Sequence, residues 1–175
     1  MVQEGCYSRR RAAQAAQFFI GVIYHDGRGV GQDYAQALEW FKKAAAQGHA
    51  RAQYHIGVIY HDGEGIERDY TQALEWLKKA ANQGYARAQF NIGVMYHEGE
   101  GVERDYVQAL ECFRKAAEQG DADAQFKMGV MYHEGEGVER DYGQAIEWFK
   151  KAAEQGDSLA KFQLETLSRD LHTQN

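Results

Sequence analysis

The chain has 175 residues, of which 44% are hydrophobic and 26% charged, the composition of a soluble folded protein with room for one domain or one repeat array. Its formal net charge of -6 excludes the basic footprint of a protein that binds nucleic acid or an anionic membrane. No apolar stretch is long enough to span a bilayer and the polar start lacks the apolar core of a signal peptide, so we expect a cytoplasmic protein by default.

One block of sequence is copied four times along the chain with a period of 36 residues, marked by Gly21, Gly57, Gly93 and Gly129. The stretch GVMYHEGEGVERDY occurs at 93–106 and again, unchanged, at 129–142. We therefore divide the chain into an N-terminal extension (1–11), four repeats (12–156) and a C-terminal capping helix with its tail (157–175).

Each repeat contains two helical patterns, called helix A and helix B, and the third repeat serves as the example. Ala88 and Ile92 share one face of helix A, which we expect to end near His97. Gly99 follows as a left-handed C-cap, and Asp105 is placed to cap the first amides of helix B.

Helix B of the third repeat is predicted to have one buried face and one exposed face. The residues expected to be buried are Tyr106, Ala109, Leu110, Phe113, Ala116 and Ala117. Glu111 lies four residues before Lys115, which predicts an exposed ion pair. A glycine inside a helix costs about 1 kcal/mol relative to alanine, so Gly93 and its three counterparts predict a close backbone contact.

A single helix pair cannot bury these faces alone, so the repeats must stack on one another. We therefore predict an all-α fold, a right-handed α/α superhelical solenoid of helix-turn-helix repeats. At the C-terminus a fifth helix A keeps Ala160 and Phe162 but has Glu165 in place of the repeated glycine, which predicts the polar outer face of a cap. No polar cap precedes the first helix, so we expect its edge to be covered either by residues 1–11 or by a partner. The edge is therefore a candidate surface for self-association.

The pattern AxAQxxxGxxYxxGxGVxxDYxQAxxWxxKAAxQG resembles the Sel-one-like repeat, a branch of the tetratricopeptide repeat superfamily, over about residues 12–171. The resemblance implies a non-catalytic adaptor that binds a protein or peptide partner, with helix A lining a concave wall. The loop departs from the family pattern, since GVERD stands where a proline often follows GV. A cysteine-rich branch with reported beta-lactam binding is similar in fold, but Cys6 and Cys112 do not form its paired pattern, and we interpret both as reduced thiols.

Differences between the four copies mark the candidate partner-binding surface, which we call the helix A stripe. When the four repeats are aligned, two positions of helix A vary between the copies, a third is always valine and a fourth is always an acid. These four positions, called columns below, lie on one face of helix A. Because the resemblance implies that this face is concave, we expect it to hold a partner peptide or helix. The predicted partner-binding residues are Arg51, His55, Val58, Arg87, Asn91, Val94, Asp123, Lys127 and Val130. Weak constraint on exposed positions stays open as the alternative explanation, since columns of helix B vary too.

The repeated YH(D/E)G motif places a histidine beside an acid at His25, His61, His97 and His133. Neighbouring helices pack about 8 to 10 Å apart, whereas zinc needs each nitrogen at about 2.0 to 2.1 Å, so the parallel histidines are not expected to converge on a metal. We interpret them as histidines that interact favourably with the end of helix A. The glycine-rich loops lack the strand and the full spacing of a phosphate-binding loop. We therefore predict no catalytic residue, metal or cofactor.

The sequence thus predicts a non-catalytic scaffold that captures a partner on the helix A stripe, with neither nucleic acid nor membrane as a partner. One alternative is a self-assembling array that associates through the N-terminal edge. The other is a beta-lactam hydrolase, as attributed to the cysteine-rich relatives.

Overall fold

The structure, a computed structural model, describes the backbone of residues 2–173 and the side chains of residues 11–169. Over this range the chain consists of α-helices without strands. The helices are α1 (Val2–Asp26), α2 (Tyr34–Ala45), α3 (Ala50–Asp62), α4 (Tyr70–Ala81), α5 (Ala86–Glu98), α6 (Tyr106–Glu118), α7 (Ala122–Glu134), α8 (Tyr142–Glu154) and α9 (Ser158–Thr173). In the part of the chain described, no helix is both long enough and apolar enough to cross a membrane.

The odd-numbered helices from α1 to α7 are the predicted A helices, and the even-numbered helices are the predicted B helices. The chain divides into two compact units, the first ending at Ala88 and the second beginning at Gln89. In the first unit α1 packs on α2, α2 on α3 and α3 on α4. In the second unit α6 packs on α7, α7 on α8 and α8 on α9.

The helix ends are set by the residues that the sequence indicates. Asp105 accepts hydrogen bonds from the backbone amides of Val107 and Gln108 at 2.9 and 3.0 Å, which confirms it as the N-cap of α6. Gly99 has a φ of 76° and donates its backbone amide to the carbonyl of Met95, which confirms the left-handed end of α5. Aspartates cap the other B helices in the same way, namely Asp33, Asp69 and Asp141.

The core of the first unit is built from large side chains of α2, α3 and α4 against small residues. Phe41, Ile56 and Leu77 are fully buried. A Cβ atom added to Gly57 would lie 2.7 Å from Cγ of Leu77, closer than real side chains approach. The repeated glycine of helix A therefore makes room for a large side chain of helix B. At Gly57 the predicted approach of the backbone is also present, since the same Cβ would lie 3.2 Å from the carbonyl oxygen of Ala73.

The second unit repeats this packing with aromatic rings. Phe113 and Phe149 are buried, and a Cβ atom on Gly129 would lie 2.5 Å from ring atoms of Phe149. Phe126 of α7 packs against Phe149 with ring centroids 5.6 Å apart. Of the residues predicted to be buried in α6, Tyr106 and Leu110 are only half-buried, because helix B is amphipathic and these two positions flank its apolar face.

The two ends of the chain differ in part from the predictions. The last helix, α9, buries Ala160 and Leu167 but leaves Phe162 63% exposed, so its outer face is not simply polar as we had predicted for a cap. Phe126, the counterpart of Phe162 one repeat earlier, instead packs against its own helix B. At the other end α1 continues through most of the predicted N-terminal extension. The side chain of Cys6 lies outside the described residues.

Candidate functional site

In the first unit the first predicted partner-binding residue of the helix A stripe is Arg51, at the start of α3. Arg51 is exposed, and its guanidinium carbon lies 5.0 Å from the ring centroid of Phe18, which is itself almost fully buried. A guanidinium over an aromatic face is an attractive cation–π arrangement. Arg51 thus lies over the ring of Phe18 while it stays exposed to solvent.

His55, one turn further along α3, is less available than the sequence predicted. Its ring stacks on Phe41 with centroids 5.0 Å apart and an interplanar angle of 17°, and it also contacts Phe18 at 5.4 Å. Burial, followed by the nearby positive charges of His25 and Arg51, lowers the pKa of His55 to about 4. At neutral pH this residue therefore contributes a flat, uncharged surface to the stripe.

The most exposed aromatic side chain on the stripe is Phe19, which occupies in the first repeat the column that holds His55 in the second. Phe19 is 59% exposed and packs edge-on against Phe18 at a centroid distance of 5.7 Å. Arg51 lies over the same Phe18 ring, so an exposed aromatic ring and an exposed guanidinium both contact this buried side chain. Sequence reasoning placed Phe19 in a variable column but did not select it.

The remaining predicted residues of the first unit are Val58 and Arg87. Val58 is half-buried on α3, which agrees with an apolar floor, and Arg87 is exposed near the start of α5. Asp26 and Asp62, the acids that end the stripe in α1 and α3, are both exposed. The stripe of this unit therefore has arginines toward the start of its helices and aspartates toward their ends.

In the second unit the predicted residues lie on α5 and α7. Asp123 is exposed at the start of α7, and Lys127 one turn later is half-buried. Val130 packs against the core cluster that contains Phe149. Asn91 and Val94 of α5 are half-buried. The column that carries Arg51 and Arg87 in the first unit thus carries an acid in the second.

A contact that sequence reasoning missed joins a histidine of one repeat to a glutamate of the next. His25 Nδ1 lies 2.9 Å from Oδ1 of Asp26, and its Nε2 lies 2.9 Å from Oε2 of Glu64, 39 residues later. From the sequence we considered only the spacing between histidines on neighbouring helices, and not Glu64. This residue lies in the loop between α3 and α4 and reaches back toward α1. In repeat 1 Arg28 stands where later repeats have this glutamate, and it pairs with Asp26 at 2.8 Å.

The second unit contains the same contact between His97 and Glu136. His97 Nδ1 is 2.7 Å from Oε1 of Glu98, and its Nε2 is 2.9 Å from Oε2 of Glu136. Among the residues with described side chains, no group of three His, Cys, Asp or Glu is placed to hold a metal ion. The repeated YH(D/E)G motif therefore contributes, at His25 and His97, to the junction between repeats.

The glycine-rich loop positions this glutamate by packing closely on the preceding repeat. Gly65 has a φ of 68°, and a Cβ atom there would lie 2.6 Å from Cβ of Tyr34. In the second unit a Cβ atom on Gly137 would lie 2.5 Å from the carbonyl oxygen of Tyr106. The second glycine of the loop is thus needed for its backbone conformation and for its lack of a side chain. The sequence indicated only the first of these reasons.

Glutamines form a second set of contacts in each repeat. Gln83 donates its Nε2 to Oε1 of Gln53 at 2.7 Å, and Gln53 donates its own Nε2 to the carbonyl of Ala45 in the preceding helix. In the second unit Gln155 donates to Gln125, which donates to Ala117. The periodic glutamines were visible in the sequence only as markers of the repeat.

The exposed face of helix B carries a repeated pair of tryptophan and lysine. The Nζ atom lies about 4 Å above the ring in Lys43 over Trp40, Lys79 over Trp76 and Lys151 over Trp148. In the third repeat Cys112 replaces the tryptophan, and Lys115 bonds to Glu111 at 2.8 Å, the ion pair that we predicted. Cys112 is a half-buried thiol outside the helix A stripe.

The chain matches a known repeat family and several solved structures. The model of the Sel1 repeat matches residues 14–49, 50–85, 86–121 and 122–157. A protective antigen of uropathogenic Escherichia coli strains with an SLR (Sel-one-like repeat) fold is 46% identical, with a TM-score of 0.84 over 92% of this chain. A Sel1 repeat protein from Oxalobacter formigenes is 39% identical, with a TM-score of 0.79 over 86% of this chain. No curated protein matches the chain.

This chain spans only part of those solved structures, 35% of the first and 62% of the second. The cysteine-rich protein B of Helicobacter pylori is 22% identical, with a TM-score of 0.55 over 70% of this chain and 93% of that one, and shows a shared fold alone. Together these matches confirm the predicted fold class, an all-α solenoid of helix-turn-helix repeats.

Proposed function

This chain belongs to the Sel1 repeat family, and on that premise we propose that it is a non-catalytic scaffold that binds a partner peptide or helix on the helix A stripe. Proteins built from Sel1 repeats are generally protein-interaction scaffolds, and their solenoid fold is typically without catalytic activity. The helix A stripe supplies the specific surface within this general role.

The observation that carries the proposal is the pair of exposed side chains on the first unit, Phe19 and Arg51. Phe19 is 59% exposed, and both residues contact the same buried ring of Phe18. Aromatic residues and arginine dominate the binding energy of protein interfaces, because they offer a large rigid area or several hydrogen-bond donors. Contact with the buried Phe18 ring restricts both side chains before binding, which lowers the conformational entropy that binding would cost.

The stripe also offers apolar contact and charge selectivity in each unit. Val58 in the first unit and Val94 and Val130 in the second are half-buried, so each exposes part of its side chain. In the first unit Arg51 and Arg87 favour acidic groups on a partner, whereas Asp123 in the second unit disfavours them. The two units thus carry charges of opposite sign in this column, so each would select against a different class of partner group.

The polar residues in the second variable column would act differently from one another. His55 is largely buried and neutral at pH 7, so it would contribute stacking surface, whereas Asn91 and Lys127 would contribute hydrogen bonds or charge. The alternative explanation, that these columns vary only because they are exposed, fits His55 poorly since it is stacked on Phe41.

Matched variants on the two faces of the repeats test this proposal. The full-length chain is used to capture binding proteins, which mass spectrometry identifies, and the binding of the captured partner is then measured with variants. Phe19→Ala and Arg51→Glu are expected to weaken binding at least tenfold, since each removes a central contact of the interface. Val107→Ala and Arg114→Glu are the controls, because Val107 is also 59% exposed and Arg114 is an exposed arginine on helix B.

The outcome is decided by which face the partner requires. Binding that survives Phe19→Ala and Arg51→Glu, in variants that keep their helical circular dichroism, contradicts the proposal. Equal losses from the helix B variants would place the interface on the opposite face. Substitution of Arg87 and Asn91 then asks whether the stripe is used beyond the first repeats.

Self-association through the N-terminal edge is the second candidate, and one observation favours it. Ile23 of α1 is 38% exposed, whereas its counterparts Ile59 and Met131 are fully buried in their own units. A second copy of the chain would bury Ile23 together with Phe19. The molar mass across a dilution series tests this: a mass that stays at the monomer value at all concentrations contradicts self-association, and Ile23→Asp should abolish any dimer.

A further inference from the structure

His25 and His97 each contact two carboxylates, one that follows in the same helix and one from the next repeat. In the first unit the distant partner of His25 is Glu64, and in the second unit the distant partner of His97 is Glu136. Both contacts measure 2.9 Å and both span 39 residues. The same arrangement thus occurs separately in two compact units.

The chemistry of this arrangement requires a particular protonation state. An ionised carboxylate only accepts hydrogen bonds, and a neutral imidazole has a single N–H to donate. A ring with a carboxylate oxygen at each nitrogen satisfies both contacts when both nitrogens carry a proton. We propose that His25 is a proton-controlled clamp between successive repeats, closed in the imidazolium form and weakened when the ring becomes neutral. His97 makes a clamp of the same geometry in the second unit.

The surroundings of His25 support the charged form. The titratable or charged groups that face it are Asp26 on α1, Arg28 in the following loop, Tyr34 on α2, His55 on α3 and Glu64 in the loop after α3. Arg28 bonds to Asp26 at 2.8 Å and is mostly exposed to solvent, so its charge is screened. The low pKa of His55 keeps that ring neutral near pH 6, so it adds no repulsion there.

His97 has similar surroundings in the second unit. Glu98 follows it on α5, Tyr106 of α6 lies edge-on at a centroid distance of 5.2 Å, and Glu136 comes from the loop after α7. On α7, Lys127 occupies the column that holds His55 in the first unit. Both clamps therefore combine one local acid, one tyrosine edge and one acid from the next repeat.

The direction of the pH effect follows from the protonation equilibrium of His25. Burial lowers its pKa, but the hydrogen bonds and charges of Asp26 and Glu64 outweigh burial, so the pKa is raised from its ordinary value. A folded-state pKa above the unfolded one gives stability that is fully present below about pH 6.5 and is lost as the pH rises through the folded value. The clamp is therefore closed in mildly acidic solution and weakened in alkaline solution.

Titration of His25 in the full-length chain, followed by NMR of its ring protons, tests the first clamp. Glu64→Gln should lower the midpoint of the His25 titration by several tenths of a pH unit, because it removes the charge on the partner. Glu67→Gln, which removes an exposed acid from the same loop, should leave the midpoint unchanged. An unchanged midpoint in Glu64→Gln, or equal shifts in both variants, would overturn the proposal.

The second clamp has an internal control in the chain itself. His97 and His133 lie in identical fourteen-residue stretches, but among the described residues His133 contacts a single carboxylate, that of Glu134. Glu136→Gln should therefore change the ring nitrogen chemical shifts of His97 at pH 6 and leave those of His133 unchanged. Glu139→Gln, in the same loop, should change neither. Insensitivity of His97 to Glu136→Gln would overturn the clamp in this unit.

Thermal unfolding then tests whether the clamps hold the repeats together. The Tm difference between the wild-type chain and the Glu64→Gln variant should be larger at pH 5.5 than at pH 8.5, by about 2 to 4 °C. Glu67→Gln should show no such dependence on pH. If the Tm difference between the wild-type chain and Glu64→Gln is equal at both pH values, the contact between His25 and Glu64 is not controlled by a proton.

Discussion

Gln83 donates a hydrogen bond from its Nε2 atom to Oε1 of Gln53, 30 residues earlier, at 2.7 Å. Gln53 is only 8% exposed and donates its own amide to the carbonyl of Ala45, at the end of the preceding helix B. The Gln53 side chain on α3 therefore links the segment that follows α4, in its own repeat, to the end of α2 in the repeat before it. The same chain of contacts in the second unit runs from Gln155 through Gln125 to a backbone carbonyl.

Replacing Gln53 with leucine should destabilise the protein, because the carbonyl of Ala45 loses its side-chain donor in a buried position. We expect the free energy of unfolding to fall by about 1 to 3 kcal/mol. Gln36→Leu, at an exposed position of α2, is the control and should be nearly neutral. Urea unfolding monitored by circular dichroism measures both values. Equal effects of the two substitutions would show that the buried amide contributes nothing.

Two glycine-to-alanine substitutions should have opposite effects on stability. At Gly129 a Cβ atom would lie 2.5 Å from the ring of Phe149, so Gly129→Ala should cost about 1 to 3 kcal/mol through overpacking. Gly143 lies in the first turn of α8, where α2 has Ala35, and Gly143→Ala should stabilise by about 0.5 to 1 kcal/mol. Denaturant midpoints of the two variants decide the matter, and a neutral Gly129→Ala would mean that the ring moves at little cost.

His55 should make the first unit sensitive to acid. Its folded-state pKa of about 4 lies below the unfolded value near 6.5, so the unfolded chain takes up a proton that the folded chain refuses. Stability is therefore lost as the pH falls from about 6.5 toward 4, by up to about 3 kcal/mol from this group. His55→Phe, the residue found at the same column in the first repeat, should flatten the unfolding free energy between pH 6.5 and 4. If the unfolding free energy of His55→Phe falls between pH 6.5 and 4 as steeply as that of the wild type, this prediction is wrong.

The third repeat should differ from the others in the environment of its lysine. Lys43, Lys79 and Lys151 lie over tryptophan rings, so ring currents should move their ε-proton resonances upfield. Lys115 bonds to Glu111 instead, and its ε-protons should resonate at ordinary positions. Cys112→Trp should move the Lys115 resonances upfield, as in the other repeats. If they stay in place, the ion pair with Glu111 outcompetes the ring.

The fold could be predicted from the sequence because its signals are local and repeated. Capping residues such as Asp105 and Gly99, and the apolar spacing of Ala88 and Ile92, each act within one helix, and four copies reduce the ambiguity of any single pattern. The exposure of Phe162 did not follow from its repeat pattern, because it depends on what lies beyond its own helix. Periodicity identifies a face of a helix but does not identify its neighbour.

The candidate site was less predictable, because its properties arise from contacts between repeats. The variable columns identified Arg51 correctly as exposed, but the stacking of His55 on Phe41 depends on a ring in the previous repeat. The contact between His25 and Glu64 joins residues 39 positions apart, longer than the repeat period itself. A comparison of aligned columns within one repeat cannot detect such a pair. Whether the stripe binds a partner stays a prediction.

The contacts of 30 and 39 residues also constrain how a chain of this kind changes in length during evolution. Within each unit, the described contacts between repeats involve a glutamate, a glycine and a glutamine whose partners lie at fixed distances along the sequence. Insertion or loss of one or two residues within a repeat would put these partners out of register, whereas duplication of a whole 36-residue segment would copy both sides of a working junction at once. Growth by complete gene segments is therefore the change that this architecture tolerates best.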